Sequence, residues 1–172
     1  MQLVKPYHHH HHSEMEPKIA LVEMVRESIV RALKKQNIVV PERNSDCVID
    51  STVMRCFHFA VDLFEGRDGD RMEREMFNRF ELPPEMFNTP LVLTALASEV
   101  NVGNCFGRLV AYTTFLSHVC ARRAKAGIII NDAYLDMLTS SVNHAGVTLN
   151  WDELRRQLDV FREQSIIAGC EN

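Results

Sequence analysis

Residues 105–126 read CFGRLVAYTTFLSHVCARRAKA and form the least polar long stretch of this 172-residue chain. Thirteen residues lie between Arg108 and Arg122, and none carries a formal charge apart from whatever charge His118 holds. Thirteen residues are too few for a single span of a bilayer. The basic residues Arg122, Arg123 and Lys125 lie at the end of this stretch, where they complement the helix dipole, and Gly127 supplies a stop signal. The stretch is therefore predicted to form a helix, apolar nearly all round, at the centre of a bundle.

Helical spacing of apolar residues continues on both sides of this stretch, and strand-like alternation is nearly absent. The first helix is predicted over Pro17–Gln36. The second is predicted to begin at Ser45 or Asp46 and to be broken by the glycines of residues 65–70. The third helix is predicted over Asp70–Phe80, the fourth begins after an N-cap at Thr89, and the fifth covers residues 105–126. The sixth is predicted from an N-cap at Asn131 to about Gly146, and the seventh begins at Asn150. A last short helix is predicted over Gln164–Ala168. The sequence thus predicts an all-α bundle of seven or eight helices around a central apolar helix.

The composition is that of a folded domain, because 46% of residues are hydrophobic and 24% are charged, which excludes general disorder. A net charge of −4 argues against a nucleic-acid binder that relies on bulk positive charge. Residues 1–14 hold the run His8–His12 of a purification tag and are set aside. One domain is predicted over residues 15–172, with Met15 as its natural start and no transmembrane anchor.

Nothing in the sequence points to catalysis. The patterns GxSxG, GxxxxGK[ST], HExxH and GxGxxG do not occur. His118 and Cys120 are two residues apart, so on a helix they face different ways and cannot share a metal ion. The acids of the polar stretch are interpreted as a solvated face: Glu73, Glu75, Glu81 and Glu85. No enzymatic activity, metal or cofactor is predicted.

Five cysteines are scattered without a CxxC pair, and an odd count in apolar surroundings is typical of reduced thiols in an intracellular protein. Cys56 and Cys120 are expected to be buried and inert. Cys105, at a helix start, is expected to be more reactive.

Gly107 and Arg108 stand at the start of the least polar helix. The glycine permits close approach to the backbone, and the arginine places a permanent charge at the rim of an apolar surface. Residue type alone favours an arginine that simply faces water.

Three motifs resemble those of the Bcl-two-type apoptosis regulators. Cys105-Phe106-Gly107-Arg108, followed by Leu109-Val110-Ala111 and Phe115, resembles the first motif of this family. Asn131-Asp132 through His144-Ala145-Gly146, then Trp151-Asp152-Glu153-Leu154, resembles the second. Phe57-x-x-x-Val61-Asp62-x-Phe64 has the spacing of the third, with Val61 where a small residue is usual, which favours a structural role for this helix. The drift of these motifs resembles that of a virus-encoded, pro-survival member.

The resemblance implies a surface groove that binds the amphipathic third-motif helix of pro-apoptotic proteins. Arg108 would pair with the aspartate of that ligand, and Trp151 would be structural. The implied groove residues are Gly107, Arg108, Phe57, Val61, Met76, Phe77, Phe80, Leu93, Leu96, Val100, Asn104, Val110 and Phe115. The implied location is the host cytoplasm, and the resemblance is also compatible with a peripheral position at mitochondria. It is compatible with a homodimer as well.

Other functions remain open from the residues alone. A Bcl-like viral bundle could block inflammatory signalling through a different surface, and the family also contains pro-apoptotic members. An unrelated helical enzyme or scaffold is the alternative from a different class.

Overall fold

The computed structural model describes residues 17–42, 49, 51–80, 89–99 and 106–144, with isolated helical residues between 152 and 163. It gives only the backbone of residues 17–20, 76, 77, 79, 80 and 144. The described ranges contain five helices and no strand: α1 Pro17–Lys35, α2 Ser51–Phe80, α3 Pro90–Glu99, α4 Phe106–Lys125 and α5 Asp132–His144. The all-α prediction is confirmed for this part of the chain, whereas the count of seven or eight helices is not.

The predicted break within residues 65–70 is wrong, because α2 runs without interruption through Gly66 and Gly69. Each glycine in a helix interior costs about 1 kcal/mol relative to alanine. On either side of the glycines, Glu65 and Glu73 both contact His118 of α4, and these contacts favour a continuous helix. The predicted second and third helices are therefore one helix of 30 residues.

Three predicted helix ends are confirmed, whereas the predicted start of the second helix at Ser45 or Asp46 is wrong, because Ile49 is not helical and α2 begins at Ser51. Thr89 Oγ1 accepts a hydrogen bond from the backbone N–H of Val92 (3.4 Å), and Asn131 Oδ1 accepts one from that of Tyr134 (2.8 Å). Gly127 ends α4 with a φ of 86°. These are local signals, and the surrounding fold does not override them.

α4 is the most buried helix of the described chain, with eleven buried residues among its twenty. It packs against α1 and α2. Tyr112 joins it to two further helices, because its hydroxyl donates to the carbonyl oxygen of Leu93 (3.1 Å) and lies 2.8 Å from Ser141 Oγ. Three buried hydroxyls on α4 donate hydrogen bonds to carbonyls of their own helix: Thr113, Thr114 and Ser117. These bonds are needed because the apolar core offers the hydroxyls no other partner.

Arg26 anchors α1 to α5. Its side chain is 5% exposed and forms ion pairs with Asp132 and Asp136 at the start of α5. Asp132 lies in the first turn, where a carboxylate also complements the positive end of the helix dipole. The buried arginine is therefore compensated from a neighbouring helix.

Among the described helices, none combines the length and the apolar character that a bilayer-crossing segment requires.

Candidate helix-binding site

The first turn of α4 presents the glycine and arginine of the first motif to solvent. Gly107 and Arg108 are both exposed, and a Cβ built on Gly107 would meet nothing within 4 Å. The preceding residue, Phe106, is half-buried, and its ring meets Phe57 of α2 edge-on at 6.1 Å between centroids. The Phe106 N–H donates to Gln157 Oε1 at 2.8 Å. The exposed pair thus borders an aromatic contact between two helices.

Arg108 lies in an electrostatic position that suits an external anion. It forms no ion pair with any residue within the described ranges. It also stands at a helix N-terminus, where the dipole disfavours a cation. A carboxylate brought to this turn would be attracted by both the guanidinium and the helix end.

The assigned apolar groove residues whose side chains the structure describes belong to one continuous core. There are six of them, and none is more than 4% exposed: Phe57 and Val61 on α2, Leu93 and Leu96 on α3, and Val110 and Phe115 on α4. The contact between Phe57 and Phe106 brings α2 to the start of α4, next to Arg108, and the hydrogen bond from Tyr112 to Leu93 joins α3 to α4. A ligand helix would reach the deepest of these side chains only where α2 and α3 part.

Six further sequence-assigned residues lie outside what is described. Val100, Asn104 and Trp151 fall outside the described ranges. Met76, Phe77 and Phe80 lie on the last part of α2, where only the backbone is described.

The aspartate of the third motif is engaged within the chain. Asp62 accepts two hydrogen bonds from Arg31, each of 2.8 Å, and its carboxylate lies 3.1 Å from Lys35 Nζ. Burial alone would raise the pKa of Asp62, but hydrogen bonds from Arg31 and Lys35 hold it below the ordinary value. Phe57 and Val61 of the same motif point into the core. These contacts favour a structural role for α2.

A polar cluster that the sequence did not predict joins α2 to α4. His118 contacts Glu73 through Nδ1, and its Nε2 lies 2.6 Å from Glu65 Oε1. Arg122 Nε donates to Glu73 Oε1 at 2.7 Å. The Glu73 side chain is 14% exposed, so its assignment to a solvated face is wrong.

The signal for this cluster is present in the sequence only if α2 is continuous. His118 and Arg122 are four residues apart and share one face of α4, while Glu65 and Glu73 are eight apart and share one face of α2. A helix broken at the glycines would separate the two acids, and that expectation concealed the pairing.

The pKa values of the two described histidine side chains shift in opposite directions. Burial would lower the pKa of His118, but its hydrogen bonds to Glu65 and Glu73 raise it. Burial and the nearby charge of Arg31 lower the pKa of His58 to about 4, so it is neutral at pH 7. Across the described residues, no three histidine, cysteine, aspartate or glutamate side chains are grouped to hold a metal ion.

The cysteine predictions are confirmed in part. Cys120 is buried, and burial raises the pKa of its thiol to about 12. Cys56 is only half-buried. Cys105 lies outside the described residues.

No protein-family model matches this chain, and neither a curated protein nor a solved structure matches it.

Proposed function

We propose that this protein inhibits apoptosis by holding the third-motif helix of a pro-apoptotic protein in a groove between α2 and α3, with α4 as the floor. The full fold would then be a Bcl-like bundle of seven or eight helices with α4 at its centre. The observation that carries the proposal is Arg108, exposed and without an ion-pair partner among the described residues, at the helix start beside the apolar core.

The packing of the helices supports a seam at the required place. α2 packs on α4 and α1, whereas α3 packs on α5, and α2 and α3 are not extensively packed against each other in the described chain. Separating α2 from α3 would therefore disrupt little packing. It would uncover core residues of these helices, and an amphipathic ligand helix needs such an apolar surface.

Charge and burial assign different tasks to the two parts of the site. Apolar side chains at i, i+3/i+4 and i+7 of the ligand would fill the space that opens between α2 and α3, and so supply most of the affinity. Arg108 would fix the register by meeting the ligand aspartate, in a charge pair partly removed from water.

The engagement of Asp62 favours a survival role over a killing role. A killing member would have to expose α2 as a ligand, but Asp62 is bound by Arg31 and Lys35, and Phe57 is fully buried. Releasing α2 would break these ion pairs and expose the core, which would be costly.

Calorimetric titration with third-motif peptides of roughly 26 residues tests the proposal. We expect sub-micromolar binding, which corresponds to more than about 8 kcal/mol, and a rise in melting temperature by mass action. A peptide with its apolar positions replaced by serine is the matched control and should give neither. A full panel without heat and without a melting shift would reject this function and leave the signalling alternative.

A further inference from the structure

Two helices of the bundle end in the same way, and their ends lie side by side. Asn37 after α1 and Gly127 after α4 both adopt positive φ, of 62° and 86°. In each case the next residue closes a Schellman motif, Ile38 N–H to the Leu33 carbonyl and Ile128 N–H to the Arg123 carbonyl, each at 3.0 Å. Residues 36–39, 124, 125 and 127–130 line one shared cavity, so the two ends lie next to each other.

Each turn is followed by three β-branched residues, and the middle one faces solvent. The third residues, Val40 and Ile130, are buried and anchor the segments. Val39 is 87% exposed and Ile129 is 82% exposed. Ile128 adds a third side chain, 41% exposed. We name Val39, Ile128 and Ile129 the apolar tip.

Basic residues lie in the last turns of the two helices that end at the apolar tip. Lys125 lines the same cavity, and it also lines a neighbouring cavity together with Lys35 and Arg122. Lys34 is exposed in the last turn of α1. We name Lys34, Lys35, Arg122 and Lys125 the basic collar.

Acidic residues neutralise part of this collar and leave one lysine available. Lys125 is exposed and forms no ion pair with a described residue. The other three cations of the collar each have an acidic partner: Lys34–Glu42, Lys35–Asp62 and Arg122–Glu73.

We propose that the apolar tip and the basic collar together dock this protein onto an anionic lipid surface. Single exposed apolar residues are ordinary, but three from two adjacent turns, beside a lysine that has no ion-pair partner among the described residues, form an amphipathic tip. The β-branched side chains enter the boundary between headgroups and acyl chains, and the collar meets lipid phosphates. This docking is peripheral and reversible, and it is independent of the groove.

The size of the tip favours a lipid surface over a protein partner. A stable protein complex buries roughly 800 Å² on each partner, which is far more than three side chains can provide. A bilayer needs no complementary pocket, because it accepts short apolar insertions and adds attraction to every nearby cation.

Vesicle co-sedimentation of the full chain tests this docking. The probes are phosphatidylcholine vesicles with and without phosphatidylserine, in low salt and in high salt. We expect binding to the anionic vesicles that weakens in high salt, because exposed charges are screened. Lys125→Gln should weaken binding about fivefold, since one cation near an anionic surface contributes about that factor. Ile129→Ser should weaken it about tenfold.

Leu91→Ser is the matched control, because Leu91 is 79% exposed on α3 and does not line the shared cavity. We expect it to bind as the parent does, with all variants melting at the parental temperature. Failure of the parent to bind anionic vesicles in low salt would overturn the proposal, and so would equal losses for Ile129→Ser and Leu91→Ser. A concentration-dependent dimer that Ile129→Ser abolishes, seen by sedimentation velocity without lipid, would instead assign the tip to a second copy of the chain.

Discussion

His58 lies on α2 and His118 contacts α2 from α4, and the surroundings of these two residues shift their pKa values in opposite directions. His118 on α4 is held by carboxylates, which raise its pKa although burial opposes them. His58 on α2 is half-buried near Arg31, and its pKa falls to about 4. The first histidine stabilises the fold when charged, and the second when neutral.

We expect stability to depend on pH with opposite sign at these residues. The folded-state pKa of His118 exceeds the unfolded value of about 6.5, so its contribution is complete below that pH and is lost as pH rises through the folded pKa. The folded-state pKa of His58 is lower, so stability falls as pH drops from about 6.5 to about 4. Urea titrations of the parent, His118→Gln and His58→Gln, each without residues 1–14, measure both effects.

His118→Gln should flatten the decline in unfolding free energy above about pH 6.5, and His58→Gln should flatten the decline below it. Each variant serves as the control for the other. An unchanged slope above neutral pH in His118→Gln would contradict the α2–α4 cluster.

The two described cysteines should differ in reactivity. Cys120 is buried with a thiol pKa of about 12, so little thiolate forms at pH 8, whereas Cys56 is half-buried. After brief iodoacetamide treatment of the native protein, mass spectrometry should find Cys56 modified before Cys120. Labelling in denaturant, where both thiols react, is the control. Faster native labelling of Cys120 would contradict the buried position of its helix face.

At the scale of elements, local chemistry predicted three helix ends correctly, but it predicted both the start and the continuity of α2 wrongly. Thr89, Asn131 and Gly127 act within one turn of themselves, so the sequence alone located these ends. The continuity of α2 depends on Glu65 and Glu73 meeting α4, a long-range contact that no local pattern reveals. The burial of Glu73 depends on the same contact and was missed for the same reason.

Two glycines of α2 test its continuity by opposite responses to the same change. Gly66 is exposed and a Cβ there meets nothing within 4 Å, so Gly66→Ala should stabilise the protein by about 0.5–1 kcal/mol. At Gly69 a Cβ would collide with the Glu65 carboxylate, so Gly69→Ala must move that side chain away from His118. It should gain less than Gly66→Ala, or lose stability.

Thermal and urea unfolding of both alanine variants measure the difference. If Gly66→Ala destabilised the protein by more than about 1 kcal/mol, the helix would be broken there, as the sequence predicted.

Across the whole molecule, the sequence predicted which residue types form the candidate site, but it did not predict how deeply their side chains are buried. The motif residues identified Arg108 as an exposed cation at the start of a buried helix, and the structure places it there. The same motifs assigned Phe57 and Phe115 to a groove, yet both are fully buried in this conformation. Periodicity tells which side of a helix is apolar, but whether that side meets a neighbouring helix or a ligand depends on how the helices are arranged.

The claim that depends most on this arrangement is that Arg108 pairs with the aspartate of a bound helix. A double-mutant cycle by titration calorimetry tests it, with the parent and Arg108→Ala each titrated with a third-motif peptide and with its aspartate-to-alanine variant. Arg71→Ala is the control, because Arg71 is exposed and its pairs with Asp68 and Glu75 lie on the surface.

Arg108→Ala should melt like the parent and bind the aspartate peptide about 10- to 1,000-fold more weakly, since each 1.4 kcal/mol of lost pairing is tenfold. Removing the ligand aspartate should cost a similar factor, and removing both should cost little more than either change alone. Arg71→Ala should bind as the parent does. If Arg108→Ala bound the aspartate peptide as tightly as the parent, Arg108 would be an ordinary surface residue, and the proposed site would be wrong.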